Sequence, residues 1–371
     1  MTRKILAALL SVILFTAVDC KDEPTKPPVT EQPQDTTSHN FVVTRVDTLG
    51  SLFSFANGVD IVNENNIWVA GIFTEKDTDG TILYNKNLAH WDGENWTLMS
   101  IPMYGYNNTG PSPEELGAVK VFDDSLIFVV ARQDNSVAWW NGTKWTSNYV
   151  NEAVVSPNFW ARSPSDIYFV ASQGRATHYN GQTFTKINTG IINPPLTDVW
   201  GDENAVYAVG EGHGGDEGLE SVFLFGNSTQ LNIFNKYVLN SSNENSPNFL
   251  GGMKSVFRAS KNSKLWILGG WGSWKVYDIE SMSPFNAERS FEFPFDYPAI
   301  LIRGTDDNDL YVPSSLNSEF YHYNGNSWYK FNANINNLLT LQFAVKKSNW
   351  MMIGSLRNGV GSGIVVIGKH N

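Results

Sequence analysis

One short pattern recurs along this chain and constrains its fold more than any other feature. A turn rich in Asp and Asn precedes an aliphatic–aromatic–aliphatic triplet. The copies are Ile67-Trp68-Val69, Ile127-Phe128-Val129, Ile167-Tyr168-Phe169, Val206-Tyr207-Ala208, Leu265-Trp266-Ile267 and Leu310-Tyr311-Val312, with Trp350-Met351-Met352 as a degenerate seventh. Their central residues lie 39 to 60 positions apart. A four-stranded propeller blade takes roughly 40–50 residues, so this spacing predicts a β-propeller in which two copies carry long loops.

Two further repeats fill in the blade. Trp91-Asp92-Gly93-Glu94-Asn95-Trp96, Trp140-Asn141-Gly142-Thr143-Lys144-Trp145, Tyr179-Asn180-Gly181-Gln182-Thr183-Phe184 and Tyr323-Asn324-Gly325-Asn326-Ser327-Trp328 follow most triplets. Asp-Gly and Asn-Gly accept the positive φ of a tight hairpin, which places a c–d turn here with its flanking aromatics packed beside it. Ahead of each triplet lies a more apolar segment, at 58–62, 117–121, 158–161, 197–201, 254–257, 299–302 and 341–345. These read as innermost strands a, with the triplet as strand b. The last copy holds only three strands, at 341–345, 350–355 and 364–367. Residues 41–46 have no blade of their own and supply the fourth. The expectation is an all-β, seven-bladed β-propeller closed by an N-terminal strand, which removes two exposed sheet edges. Six blades is the alternative if the seventh triplet is misread.

Residues 197–210, TDVWGDENAVYAVG, resemble the Asp-Val-Trp-Gly…Val-Tyr-Ala-Val-Gly repeats of bacterial secreted propellers. The resemblance implies architecture; such propellers serve unrelated functions, so it brings no catalytic residue with it.

The N-terminus carries an address. Thr2-Arg3-Lys4 is a short basic region, and residues 5–18 form an apolar run too short and too early for a stop-transfer helix. It ends in Ala17-Val18-Asp19-Cys20, the only cysteine of the chain. This resembles a bacterial lipoprotein signal, with Ala17 and Asp19 where that family carries Leu and a small residue. Lys21-Asp22-Glu23 resembles the Lys-(Asp/Glu)-(Asp/Glu) export signal of Bacteroidetes surface lipoproteins. The resemblance implies residues 1–19 as signal peptide, lipid (palmitate among its acyl chains) on Cys20, and a place on the cell surface at the outer membrane. Residues 20–40, rich in Pro and Thr, read as a flexible tether, and 41–371 as the propeller domain.

Composition excludes several classes. A net charge of −11 lacks the basic footprint of a nucleic-acid binder. One cysteine permits neither a disulfide framework nor a cysteine zinc site within the chain. No Gly-x-Ser-x-Gly elbow, His-Glu-x-x-His helix or Ser-x-Asp-x-Gly-x-Thr-Trp box is present. His90, His178 and His322 share one repeat position beside the c–d turn, which reads as scaffold. The chain is expected to be a monomer whose partners are the membrane, through its lipid, and an extracellular glycan or protein.

In a propeller the b–c and d–a connections open on one face, and here they are the long ones, so binding is expected on that rim. Trp271 and Trp274, in a Gly-rich b–c segment, suit a platform for sugar or peptide. Glu211, His213 and Asp216 form an acidic loop that could also hold a ligand. Asp77 and Asp79-Gly80 present alternate oxygens that suit Ca²⁺, although a polar hairpin tip explains them more simply. No other cofactor is implied. The leading reading is a binding module. Its alternative is a glycan-active hydrolase or lyase drawing on Glu211, Asp216 or Asp296 with Tyr104 or Tyr297.

Overall fold

A computed structural model describes residues 37–104, 110–150, 158–213, 218–239, 249–271, 273–282, 285–294, 296–356 and 362–370. Among these residues the chain is all β, without helix, and forms seven four-stranded antiparallel sheets. No described helix is long and apolar enough to cross a membrane. Cys20, Lys21, Asp22 and Glu23 lie outside the described residues, as does Asp216.

Blades 1 to 6 run a-b-c-d in chain order, over residues 55–99, 116–149, 159–187, 196–238, 252–292 and 303–332. Blade 7 takes a, b and c from Leu338–Lys346, Asn349–Leu356 and Gly363–His370, and d from the N-terminal strand Phe41–Leu49. That ladder runs antiparallel from Phe41 opposite His370 to Leu49 opposite Gly363. The seven-blade closure expected from the repeats is the observed one.

The core lies in the wedges between blades. One cluster joins Met351, Ile353 and Val365 of blade 7 to Ala56, Ile67 and Phe73 of blade 1. Another joins Tyr311 and Phe320 of blade 6 to Trp350 and Met352 of blade 7. Phe41, at the head of the closing strand, packs edge-on against Phe320 at 5.0 Å. The triplet repeat follows from this design: strand b is covered by a blade on either side, so both its faces are apolar. Leu310, Tyr311 and Val312 are all 0% exposed.

The c–d turns add a detail to the expected chemistry. Only the glycine takes positive φ, +99° at Gly93 and +89° at Gly325. The residue before it accepts the N–H groups two and three positions on: Asp92 Oδ1 takes those of Glu94 at 2.8 Å and Asn95 at 2.7 Å. Asn141, Asn180 and Asn324 do the same. Asp or Asn is therefore needed here as a cap rather than for its tolerance of left-handed backbone. The flanking aromatics meet across the turn, Tyr179 and Phe184 at 4.5 Å and Tyr323 and Trp328 at 5.1 Å.

Two finer expectations are corrected. Strand a of blade 6 is Arg303–Asp306 rather than 299–302. The apolar run 299–302 is a buried lead-in, tied to the sheet margin where Ile300 N–H donates to the Pro313 carbonyl at 3.1 Å. Several long b–c connections are also hairpins rather than loops. In blade 1 strands b and c run as Asn66–Lys76 and Ile82–Trp91, leaving a tip of only a few residues.

Candidate ligand-binding site

The seven inner strands surround an axial channel. Its larger part, about 630 Å³, is walled by strand a residues that include Asp60, Lys120, Trp160, Trp200 and Arg303. A smaller cavity of about 150 Å³ lies where the inner strands begin, the side toward which the b–c and d–a connections project. Its walls include Asn57, Arg132, Lys254, Ser255 and Leu341. Asn158 and Gln342 line both parts. Gln342 Nε2 donates to Asn158 Oδ1 at 3.3 Å, joining blades 7 and 3 across the axis. The smaller cavity is thus the mouth of the channel on the long-connection face.

Two carboxylates of the inner strands are paired within the scaffold. Asp198 of blade 4, 1% exposed, receives both Arg303 Nη1 and Nη2 of blade 6 at 2.9 Å. It also accepts the Ser255 hydroxyl at 2.5 Å and the Val256 N–H at 3.0 Å, from blade 5 between them. The Arg303 guanidinium lies 4.7 Å over the Trp200 ring. Blades 1 and 2 repeat the device more simply. Asp60 pairs with Lys120 at 3.0 Å and accepts the Val121 N–H at 2.7 Å. A carboxylate paired with a cation and further donors in this way is held by the scaffold.

The mouth is built differently. Arg132 is held by Glu115 at 2.7 Å, and Asn57 Nδ2 donates to the same carboxylate at 2.8 Å. Lys254 places its ammonium 5.0 Å over the ring of Trp274. Among the described residues neither the Lys254 ammonium nor the Glu211 carboxyl forms a hydrogen bond or ion pair, although the Lys254 carbonyl accepts the Thr197 hydroxyl at 2.9 Å. Burial raises the Glu211 carboxyl above its ordinary range, and the Lys254 charge opposes that rise. Glu211 lies against the Gly252 backbone: a Cβ there would stand 2.0 Å from its Oε2 and would displace the carboxyl. An indole, an ammonium and a carboxyl thus meet beside the mouth, with Lys254 itself lining the cavity and Trp274 resting on the wedge between blades 5 and 6.

Two of the residues singled out in the sequence, Glu211 and Trp274, therefore converge on a third, Lys254, that was not. The available signal was a lone cation in an otherwise apolar inner strand, Met253-Lys254-Ser255-Val256. Trp271 and Trp274 do not share a loop. Trp271 ends strand b of blade 5 and faces Ser273 across a tight turn, while Trp274 stands within strand c. The side chains of Trp271 and His213 lie outside the described set. Asp77 and Asp79 cap their own hairpin tip: Thr81 N–H donates to Asp77 Oδ1 at 2.7 Å and to Asp79 Oδ1 at 3.1 Å. Tyr297 is 5% exposed, and its hydroxyl donates to the Val312 carbonyl at 2.9 Å. It belongs to the core of the wedge between blades 5 and 6, away from any rim pocket.

No family model matches the chain, and no curated protein sequence matches it. Solved structures do. A complex titled "YCF48 bound to D1 peptide" superposes with a TM-score of 0.60 at 10% identity, covering 90% of this chain and 98% of that one. Virginiamycin B lyase from Staphylococcus aureus gives 0.61 at 10%, covering 89% and 100%. YCF48 from Cyanidioschyzon merolae gives 0.55 at 11%, covering 89% and 98%. The likeness is one of fold. At such identities it carries no function across, and the titles themselves name both a peptide complex and a lyase.

Proposed function

We propose that this protein is a surface-displayed binding module that takes a glycan or protein ligand at the channel mouth. The carrying observation is Lys254, which lines the mouth, over Trp274 and beside Glu211, the ammonium and the carboxyl having no side-chain hydrogen bond or ion pair among the described residues. The indole offers an apolar face, the ammonium a site for carboxylate or hydroxyl, and the Glu211 carboxyl a donor or acceptor according to its protonation. Neighbours of the same fold include one solved with a peptide, which supports a binding role for such a ring. The hydrolase or lyase alternative needs two convergent carboxyl groups. Glu211 is one candidate, whereas Asp198 and Glu115 at the mouth are committed to Arg303 and Arg132.

The display is carried by lipid on Cys20, with Lys21-Asp22-Glu23 directing export to the outer face of the outer membrane. The entry point of the chain supports this. Thr37 and His39 contact blade 6 at the c–d turn side, and strand Phe41–Leu49 starts there. The described chain thus enters the ring on the side opposite the mouth.

The test combines two arrays with a fractionation. The mature domain should be retained on a member of a glycan array or a peptide array, and K254A with W274A should abolish retention while circular dichroism stays unchanged. Retention unaffected by the double variant removes the mouth from consideration. C20S should leave the membrane fraction; a C20S chain that survives a carbonate wash there overturns the anchor.

A further inference from the structure

We propose that Asp309, His322 and His370 form a site for one divalent transition metal ion of the zinc class, at the seam where the ring closes. One ligand atom from each residue lies within 4.8 Å of those of the other two. The three come from strands b and c of blade 6 and strand c of blade 7. Two imidazoles and one carboxylate are a donor set that zinc accepts, leaving a fourth position for water or a further oxygen.

Blade 3 supplies an internal control. Its Asp166 and His178 occupy the repeat positions of Asp309 and His322 and pair at 2.7 Å. Among the described residues blade 3 brings no third ligand to that pair. Blade 6 gains one because the closing blade lies against it. His322 Nε2 faces Asp309 Oδ1 at 3.0 Å, close to the separation of two ligands on one tetrahedral ion. The Thr37 hydroxyl, which donates to the Asn308 carbonyl at 2.6 Å, stands 3.4 Å from the same nitrogen.

The surrounding contacts fit outer partners of metal ligands. His322 Nδ1 meets His39 Nδ1 at 2.8 Å, so an Nδ1–H on His322 can donate to His39 while Nε2 keeps its lone pair for the ion. The other ring nitrogen of His39 lies 3.3 Å from the Ser327 hydroxyl. The Tyr311 hydroxyl lies 3.5 Å from His370 Nδ1 and 3.4 Å from its Nε2, within reach of whichever nitrogen is not on the ion. Asp309 Oδ2 accepts the Thr305 hydroxyl, which orients the carboxylate. Asp309 and His322 are 2% and 0% exposed, so an ion held there is screened from solvent and would bind blade 6 to blade 7.

The experiment is calorimetric titration of the tag-free mature chain with Zn²⁺, paired with Co²⁺ titration read by its ligand-field absorption. The expected result is one Zn²⁺ per folded chain, a tetrahedral cobalt spectrum, and a melting temperature that rises with excess Zn²⁺. H370A and D309N should each weaken binding at least about tenfold, the least that loss of even an outer partner costs. H178N should leave affinity unchanged. Should D309N not fold, H370A decides alone, since His370 stands at the end of its strand. Absence of stoichiometric Zn²⁺ binding, or an affinity unaltered in folded H370A, overturns the proposal.

Discussion

Asp198, Arg303 and Trp200, a set that runs from the mouth into the channel wall, repeat, in residue class, the set Glu211, Lys254 and Trp274 beside the mouth. Each set has a carboxylate, a cation and an indole under the cation, at 4.7 Å in the wall and 5.0 Å at the mouth. The wall set is closed by a bidentate ion pair, a hydroxyl and a backbone N–H. The mouth set has none of these. Composition alone therefore does not separate a structural clasp from a binding site. The separation lies in whether neighbouring strands supply enough donors to satisfy the carboxylate, and Arg303 does so because its fork reaches over blade 5 to blade 4.

The contrast can be broken by substitution. Deleting residues 41–46 sets the upper limit, since it strips strand d from blade 7 and exposes the edge of Gly363–His370. The expected result is loss of a cooperative melt or outright aggregation; a truncated chain that melts like the parent would dismiss the closure. R303A comes next. It leaves the Asp198 charge buried and unpaired, for an expected loss of about 3–5 kcal/mol in urea unfolding. A loss below about 1 kcal/mol, the range of exposed pairs, would show that the wall set is no more a clasp than the mouth set. W274A should cost about 1 kcal/mol, because the ring is only half-buried against the wedge between blades 5 and 6. Its effect should appear in ligand retention instead. Should W274A prove as costly as R303A, the indole at the mouth is scaffold.

The smallest effect is expected of E211Q, and it depends on pH. Burial raises the folded-state pKa of Glu211 above its unfolded value. The folded chain therefore takes up this proton first as pH falls. The protonated form's contribution is full below the unfolded pKa and is lost as pH rises through the folded one. E211Q should be slightly more stable than the parent at neutral pH, and that advantage should shrink as pH falls through the folded pKa. Parallel stability–pH curves for the two proteins would mean that the carboxyl is better solvated than its position implies.

The ring was legible in the sequence because every blade solves the same problem. A strand covered on both faces must be apolar throughout, and a tight c–d turn needs a capping Asp or Asn before its glycine. Both signals recur often enough to count blades. The inner strand of blade 6 was misplaced for the same reason in reverse. Arg303 makes that strand polar because it serves Asp198, two blades away, so the apolar run just before it looked the better candidate. Glu211 and Trp274 were legible as unusual residues in long connections. Their meeting at Lys254 was not, because it depends on how strand a of blade 5 lies beside strand b of blade 4. The extra histidines around His322 were hidden likewise. His39 and His370 stand at opposite ends of the sequence and become neighbours only when the ring closes.

The antiparallel ladder between Phe41–Leu49 and Gly363–His370 also fixes how the molecule bears load. Were the chain held by the proposed lipid at its N-terminus and by a ligand at the opposite face, tension would run along the axis of the closing strand. The hydrogen bonds of an antiparallel pair lie across that axis, so tension shears the whole ladder at once instead of peeling it one residue at a time. The strand that completes the last blade is in that arrangement a mechanical fastening, oriented in its stronger direction.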